Sequence, residues 1–295
     1  MMHSMLKVSA NHRFLVRADG APFFWLADTA WLLLYRLDRG EADRYLTARA
    51  AQGFTVIQVM GIVEFDELRM PNAYGEQQFL DRDPLRPNEK FYAHVDWIIR
   101  RAGEVGITVA LLPTWGDKVG PVLWGKGPVI FDARTARAYG RWLGARYAAA
   151  PNLLWVLGGD RPPVQEDAPG GAKDFRPVWR EMAAGLQEGD GGAHLMTYHP
   201  MGGSSTSAKL HAEPWLDFNM IQSGHGARNP ANWAQVAHDY GLEPPKPTLD
   251  GEADYEDHPV NWNQDNGWFD DLDVRRTAYW ALFAGAFGHT YGSTP

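Results

Sequence analysis

Short apolar runs with strand character alternate with amphipathic helical stretches from one end of the chain to the other. This alternation constrains the fold more than any other feature of the sequence. Strand-like runs fall at 23–27, 55–60, 107–112, 153–157, 195–198, 218–221 and 247–249, and a last one ends on His289-Thr290-Tyr291. Helical patterns occupy 41–52, 91–105, 133–149, 175–187, 232–240 and 273–283, several of them stopped by Gly or Pro. Eight strands with intervening helices predict a (β/α)8 TIM barrel, which needs ~250 residues and fits a chain of 295. A doubly wound sheet is the competing arrangement, but no Gly-rich phosphate loop follows any strand. Residues 14–17, followed by Ala18-Asp19-Gly20 and a second apolar run, predict an N-terminal β-hairpin under the barrel.

Charge and composition narrow the partners. Lys plus Arg is 28 against 36 for Asp plus Glu, a net charge of −8 with no basic run. Nucleic acid and anionic membrane surfaces are therefore not expected partners. The longest apolar stretch, 23–35, is broken by Asp28 and too short to span a bilayer. The first residues carry no apolar signal segment, so a cytoplasmic location is expected. Cysteine is absent, which excludes thiolate chemistry, thiolate metal sites and disulfides. The chain holds 13 Trp, 11 Tyr and 13 Phe; many belong to the core, and such abundance also fits a carbohydrate cleft, where flat rings stack on sugar faces.

In a barrel of this class the chemistry lies at the C-terminal ends of the strands. Those positions carry Asp28 and Trp31 after the first strand and Glu64 after the second. Trp115, Asp117 and Lys118 follow the third, Asp160 and Arg161 the fourth, and His199 the fifth. Gln222, Ser223 and His225 follow the sixth, Glu252, Tyr255 and Glu256 the seventh, and His289 and Tyr291 close the eighth. Asp160 and Glu252 are each preceded by Gly and come from strands on opposite sides of the axis. Hydrolysis of a glycosidic bond needs such a pair, one carboxylic acid to protonate the leaving oxygen and one carboxylate to attack or to activate water. Either residue alone could equally cap the following helix. Asp28, Trp115, Asp117, Arg161, His199, Gln222, His225, Tyr255 and Tyr291 are the substrate-binding candidates. Asp28 also reads as a cap for the helical turn after it, Trp115 as barrel packing and Asp117 as an ion pair with Lys118. His-x-His and His-Glu-x-x-His patterns are missing, so neither a catalytic metal nor another cofactor is expected. Gly-x-Ser-x-Gly is missing too, against an α/β-hydrolase.

Ten blocks carry a more specific resemblance: FFWLADTAW (23–31), GFTVIQ (53–58), PNAYG (71–75), HVDWII (94–99), LLPTWGDK (111–118), NLLWVLGGDR (152–161), LQEGDGGAHLMTYHP (186–200), WLDFNMIQSGH (215–225), LDGEADYEDHP (249–259) and AYWALFAGAFGHTYG (278–292). In order and over nearly the whole chain, they resemble the apiosidase-like glycoside hydrolases, family 140. The resemblance implies hydrolysis of a β-linked apiose or similar sugar in plant pectic material. It implies Asp160 of the GGD block as acid/base and Glu252 of the DGE block as nucleophile. Relatives commonly continue past HTYG into a last helix and a small β-rich domain. The expectation here is one catalytic barrel over residues 1–295 without that helix and domain. The reading that leads is a retaining glycosidase. A different pentoside specificity, an inverting mechanism, or a carbohydrate-binding barrel without turnover are the alternatives. Retention predicts carboxyl groups ~5–5.5 Å apart, a raised pKa for Asp160, and an Arg161 side chain turned away from it.

Overall fold

The computed structural model describes residues 5–64, 66–120, 124–168 and 170–293. Eight parallel strands, β1 (Trp25–Thr29), β2 (Val56–Met60), β3 (Thr108–Leu112), β4 (Leu153–Gly158), β5 (Met196–His199), β6 (Asn219–Gln222), β7 (Thr248–Asp250) and β8 (Gly288–Tyr291), follow one another around the sheet in the order β5-β4-β3-β2-β1-β8-β7-β6. The ring closes between β5 and β6 through Asp217 N–H to the Met196 carbonyl (2.9 Å) and the Thr197 hydroxyl to the Phe218 carbonyl (2.6 Å). The expected barrel is therefore the fold. Its long helices are α1 (Arg39–Ala51), α2 (Glu89–Val105), α3 (Ala133–Tyr147), α4 (Arg176–Asp190), α5 (Asn232–Tyr240) and α6 (Asp271–Phe283). Asp38, Asp132 and Asp270 start α1, α3 and α6 with reciprocal capping boxes, and Gly106 ends α2 in the left-handed conformation. After β5 the helix shrinks to one turn, Ser207–Leu210.

At the bottom the structure has more than a hairpin. Lys7–Val8, Leu15–Val16 and Pro22–Phe23 form a three-stranded antiparallel sheet leading directly into β1. Leu15 and Phe23 are buried in the main core, and Arg13 reaches the Tyr240 carbonyl at the C-terminal end of α5. Trp25, Phe218 and Phe287 pack edge to face and fill the lower barrel.

Strand alternation decides which side chains reach the interior. Gln58 crosses the barrel to the Gly251 carbonyl (2.7 Å), so it points inward. Its register partner Thr29, and Ala27 and Trp25 at period two, share that face, whereas Asp28 faces the helices. By the same count His199 lies inside, level with Gly158, while Asp250 and Tyr291 lie outside.

Candidate active site

The C-terminal end of the barrel opens into a cleft of about 1040 Å³, whose walls include Trp31, Glu64, Trp115, Trp124, Asp160, Gln222, His225, Glu252, Tyr255 and Trp262. Asp160 reaches it through an unusual backbone. Gly158, Gly159 and Asp160 all have positive φ (85°, 114° and 54°). A Cβ on Gly158 would meet the His199 carbonyl at 2.5 Å, and one on Gly159 the Trp115 ring at 2.6 Å, so only glycine lets the chain turn here. The turn lifts the Asp160 carboxyl into the cleft opposite Glu252.

Glu252 is heavily supported. Gln222 Nε2 donates to Oε2 (3.0 Å), His225 Nε2 lies 3.3 Å from Oε1, and the Tyr255 hydroxyl donates to Oε1. His199 Nε2 stands 2.8 Å from Oε2. Trp31 Nε1 donates to the Tyr255 hydroxyl (2.8 Å), which fixes that ring in turn. Burial alone would raise the pKa of Glu252, but the contacts from His199 and His225 outweigh it and hold the carboxyl well below the usual range. Asp160 goes the other way. Burial, then the charge of Glu252, raise its pKa against the smaller opposing effects of His199, Gln222 and Arg161. For His199, burial pushes the pKa down, yet Glu252 and Asp160 lift it above its ordinary value. One ligating atom from each of Asp160, His199 and Glu252 lies within 4.8 Å of the others. A cation at that point would compete with the N–H and O–H donors already on Glu252, so the donor set suits an ionised carboxylate held without metal.

The other sequence candidates divide. Trp115, Gln222, His225 and Tyr255 line the cleft. His199, fully buried, sits behind Glu252 rather than on the cleft surface. Asp28 is no cleft residue: facing outward, it accepts from the Tyr45 hydroxyl and from Arg49 Nε (2.6 Å) of α1. Tyr291, also outward, lies near the Arg49 guanidinium and donates to Glu256 Oε2. Asp117 is buried against Lys118 Nζ (2.9 Å). That ammonium also binds the carbonyls of Glu64, Asp66 and Gly127, so the pair ties the loops after β2 and β3 together. Arg161 turns away from the Asp160 carboxyl and pairs with Glu64 (2.6 Å). Burial, with Asp160 and Asp117 charges adding, outweighs Arg161 and raises the Glu64 pKa to about 7. The binding candidates overlooked Trp31, Trp124 and Trp262. The first belongs to the ADTAW run, while the last two lie in loops with no periodic pattern to mark them.

A family model described as the apiosidase-like catalytic domain matches residues 9–295. A search of curated proteins gave no match. Among solved structures, one glycoside hydrolase is 34% identical with a TM-score of 0.84 and covers 98% of this chain and 65% of its own. A family 5 glycoside hydrolase from Bacteroides vulgatus is 33% identical with a TM-score of 0.83, the coverages being 98% and 62%. The chain thus spans just under two thirds of the length of these two proteins. An endo-1,4-β-D-mannanase from Thermotoga petrophila, 14% identical with a TM-score of 0.62 over 92% of this chain and 88% of its own, shares the fold.

Proposed function

The chain belongs to the apiosidase-like catalytic-domain family, and on that premise we propose that it is a retaining glycoside hydrolase acting on a β-linked apiose or similar pentose of pectic oligosaccharides or plant glycosides. The observation that carries this reading is the pairing of Asp160 and Glu252. One oxygen of each carboxyl lies within 4.8 Å of one oxygen of the other, a closeness compatible with the ~5–5.5 Å group separation of double displacement and short for the ~6.5–9.5 Å that leaves room for a water. Their protonation tendencies are also opposite. The raised pKa of Asp160 favours the acid form that gives its proton to the leaving oxygen, while the lowered pKa of Glu252 favours the carboxylate that attacks the anomeric carbon from the other face. Forming the glycosyl ester removes the charge on Glu252, which lowers the pKa of Asp160 and lets it deprotonate the incoming water. His199, His225, Gln222 and Tyr255 orient Glu252 and keep it ionised. Trp31 and Trp115 offer aromatic surface beside the reacting ring. The family supports apiose as the sugar released.

The test is a sugar-release screen on pectic fragments and apiose glycosides, followed by NMR of the first-formed product. Retention of anomeric configuration is expected, and inversion would remove Glu252 from the nucleophile's role. Glu252→Ala should abolish turnover. Asp160→Ala should slow substrates with poor leaving groups by about 10²–10⁴-fold and activated aryl glycosides far less.

A further inference from the structure

We propose that Trp262 is a stacking platform for a second sugar ring, so that the cleft takes an oligosaccharide and not a lone sugar on a small leaving group. This assignment rests on the glycosidase reading above.

Trp262 lies on the wall of the cleft that holds Glu252 and is 68% exposed. Exposure alone is not distinctive, since Phe283 and Trp233 are also exposed; Trp262 differs in standing on the wall of the cleft. It is nevertheless held firmly. The ring stands near-perpendicular to His225 (centroids 5.7 Å, 78°) and His258 (5.5 Å, 90°). Near-perpendicular contacts of this kind fix the plane of the indole while leaving its surface open. His225 in turn touches Glu252 at 3.3 Å, so the platform is one side chain removed from the reacting carboxylate.

The backbone below is strained for the purpose. Asn261 and Trp262 both adopt positive φ (55° and 56°), a conformation a bulky residue rarely takes. Hydrogen bonds hold it there: Asn261 N–H to the His225 carbonyl (2.8 Å), Trp262 N–H to the Pro259 carbonyl (3.0 Å) and Val260 N–H to the Gly267 carbonyl (2.9 Å). Strain maintained by neighbouring structure, on an exposed ring at the edge of a cleft, is the signature of a preorganised binding surface. Trp31 and Trp115 lie deeper, Trp115 being only 3% exposed, and suit the sugar at the carboxylates. Trp262 sits beyond them and suits the next one.

The experiment uses full-length protein carrying Glu252→Gln to stop turnover. An array of plant cell-wall oligosaccharides identifies the tightest ligand, which is then titrated calorimetrically alongside its terminal monosaccharide. Adding Trp262→Ala should weaken the oligosaccharide about tenfold and leave the monosaccharide unchanged, while Trp262→Phe should stay within about threefold of the parent. The melting temperature should not move, because the ring is mostly exposed. Equal oligosaccharide affinity in Trp262→Ala overturns the proposal, as does an equal loss for the monosaccharide, or a parent that binds the oligosaccharide no tighter than its terminal sugar. A parent that binds no sugar on the array overturns the glycosidase reading itself, and the platform with it.

Discussion

Three side-chain hydrogen bonds and one close imidazole, His199, crowd the two oxygens of Glu252, and each group has a separate reason to be there. His199 comes from the inward face of β5, Gln222 from that of β6, His225 from the loop after β6, and Tyr255 from the turn just past Glu252 itself. A hydrogen bond to an ionised group contributes about 1.5–3 kcal/mol, roughly double a neutral one. Removing one donor should therefore raise the Glu252 pKa by about a unit, since one unit corresponds to ~1.36 kcal/mol. Tyr255→Phe is the cleanest such change, because it keeps the ring packed on His225 (centroids 4.2 Å) and removes only the hydroxyl. The proposed mechanism needs Glu252 ionised, so activity should fall as pH drops through its pKa. The acidic limb of the kcat/KM profile should accordingly move to higher pH in Tyr255→Phe, with the basic limb, set by Asp160, in place. A shift of the basic limb alone would mean that the hydroxyl serves Asp160.

At the scale of elements, the order of strands and helices was legible because each turn is punctuated by Gly, Pro or a capping Asp. The faces of the strands were less so. Asp28 and Tyr291 end their strands as catalytic groups do, yet the inward position of Trp25 places both on the outer surface by period-two alternation. Asp160 and Glu252 escaped that error because glycines release them from the strand parity before the side chain is placed. Trp124 and Trp262 left no periodic trace at all, since loop backbone follows local hydrogen bonds instead of a repeat. The helices flanking β4 contain a signal whose meaning is purely steric. Gly140 and Gly144 of α3 face Gly185 and Gly189 of α4, and a Cβ on Gly185 would lie 2.3 Å from the Arg137 carbonyl. Gly185→Ala gains up to ~1 kcal/mol of helix propensity but must push the two helices apart. The overpacking should win and destabilise the protein by about 1–3 kcal/mol, read as a lower urea midpoint with an unchanged slope. A midpoint equal to or above the parent's would show that the helices separate freely.

Taken as a whole molecule, the fold buries several carboxylates whose environments oppose ionisation. Burial is the first cause in each: Asp217 and Asp254 rise to about 6 and Glu64 to about 7, and Asp28, Asp117, Asp160 and Asp250 are also raised. A carboxylate with a raised folded pKa binds more protons folded than unfolded between its two pKa values, so stability declines as pH climbs through that interval. His199, raised as well, acts in the same direction: its contribution is present below about 6.5 and lost as pH rises through the folded value. Glu252 acts oppositely but lower, its contribution being present above about 4.5 and lost as pH falls below it. His289, lowered to about 4 by burial, with His94 and His258 also lowered, opposes the fall between about 4 and 6.5 but is outnumbered. The melting temperature should therefore peak near pH ~5 and decline towards pH ~8. Asp254 isolates one contributor, because it accepts from the Thr277 hydroxyl (2.8 Å) while its other oxygen is buried without a partner. Asp254→Asn imitates the protonated acid and keeps that bond through its carbonyl oxygen. It should stabilise the protein by about 1 kcal/mol at pH ~8, where the parent must carry the buried charge, and bring no gain at pH ~5. Thermal melts of the two proteins across that range decide the matter. A parent profile that rises from pH ~5 to ~8, or an asparagine variant whose difference from the parent does not change with pH, would mean that these acids ionise without penalty and that burial does not govern their charge state.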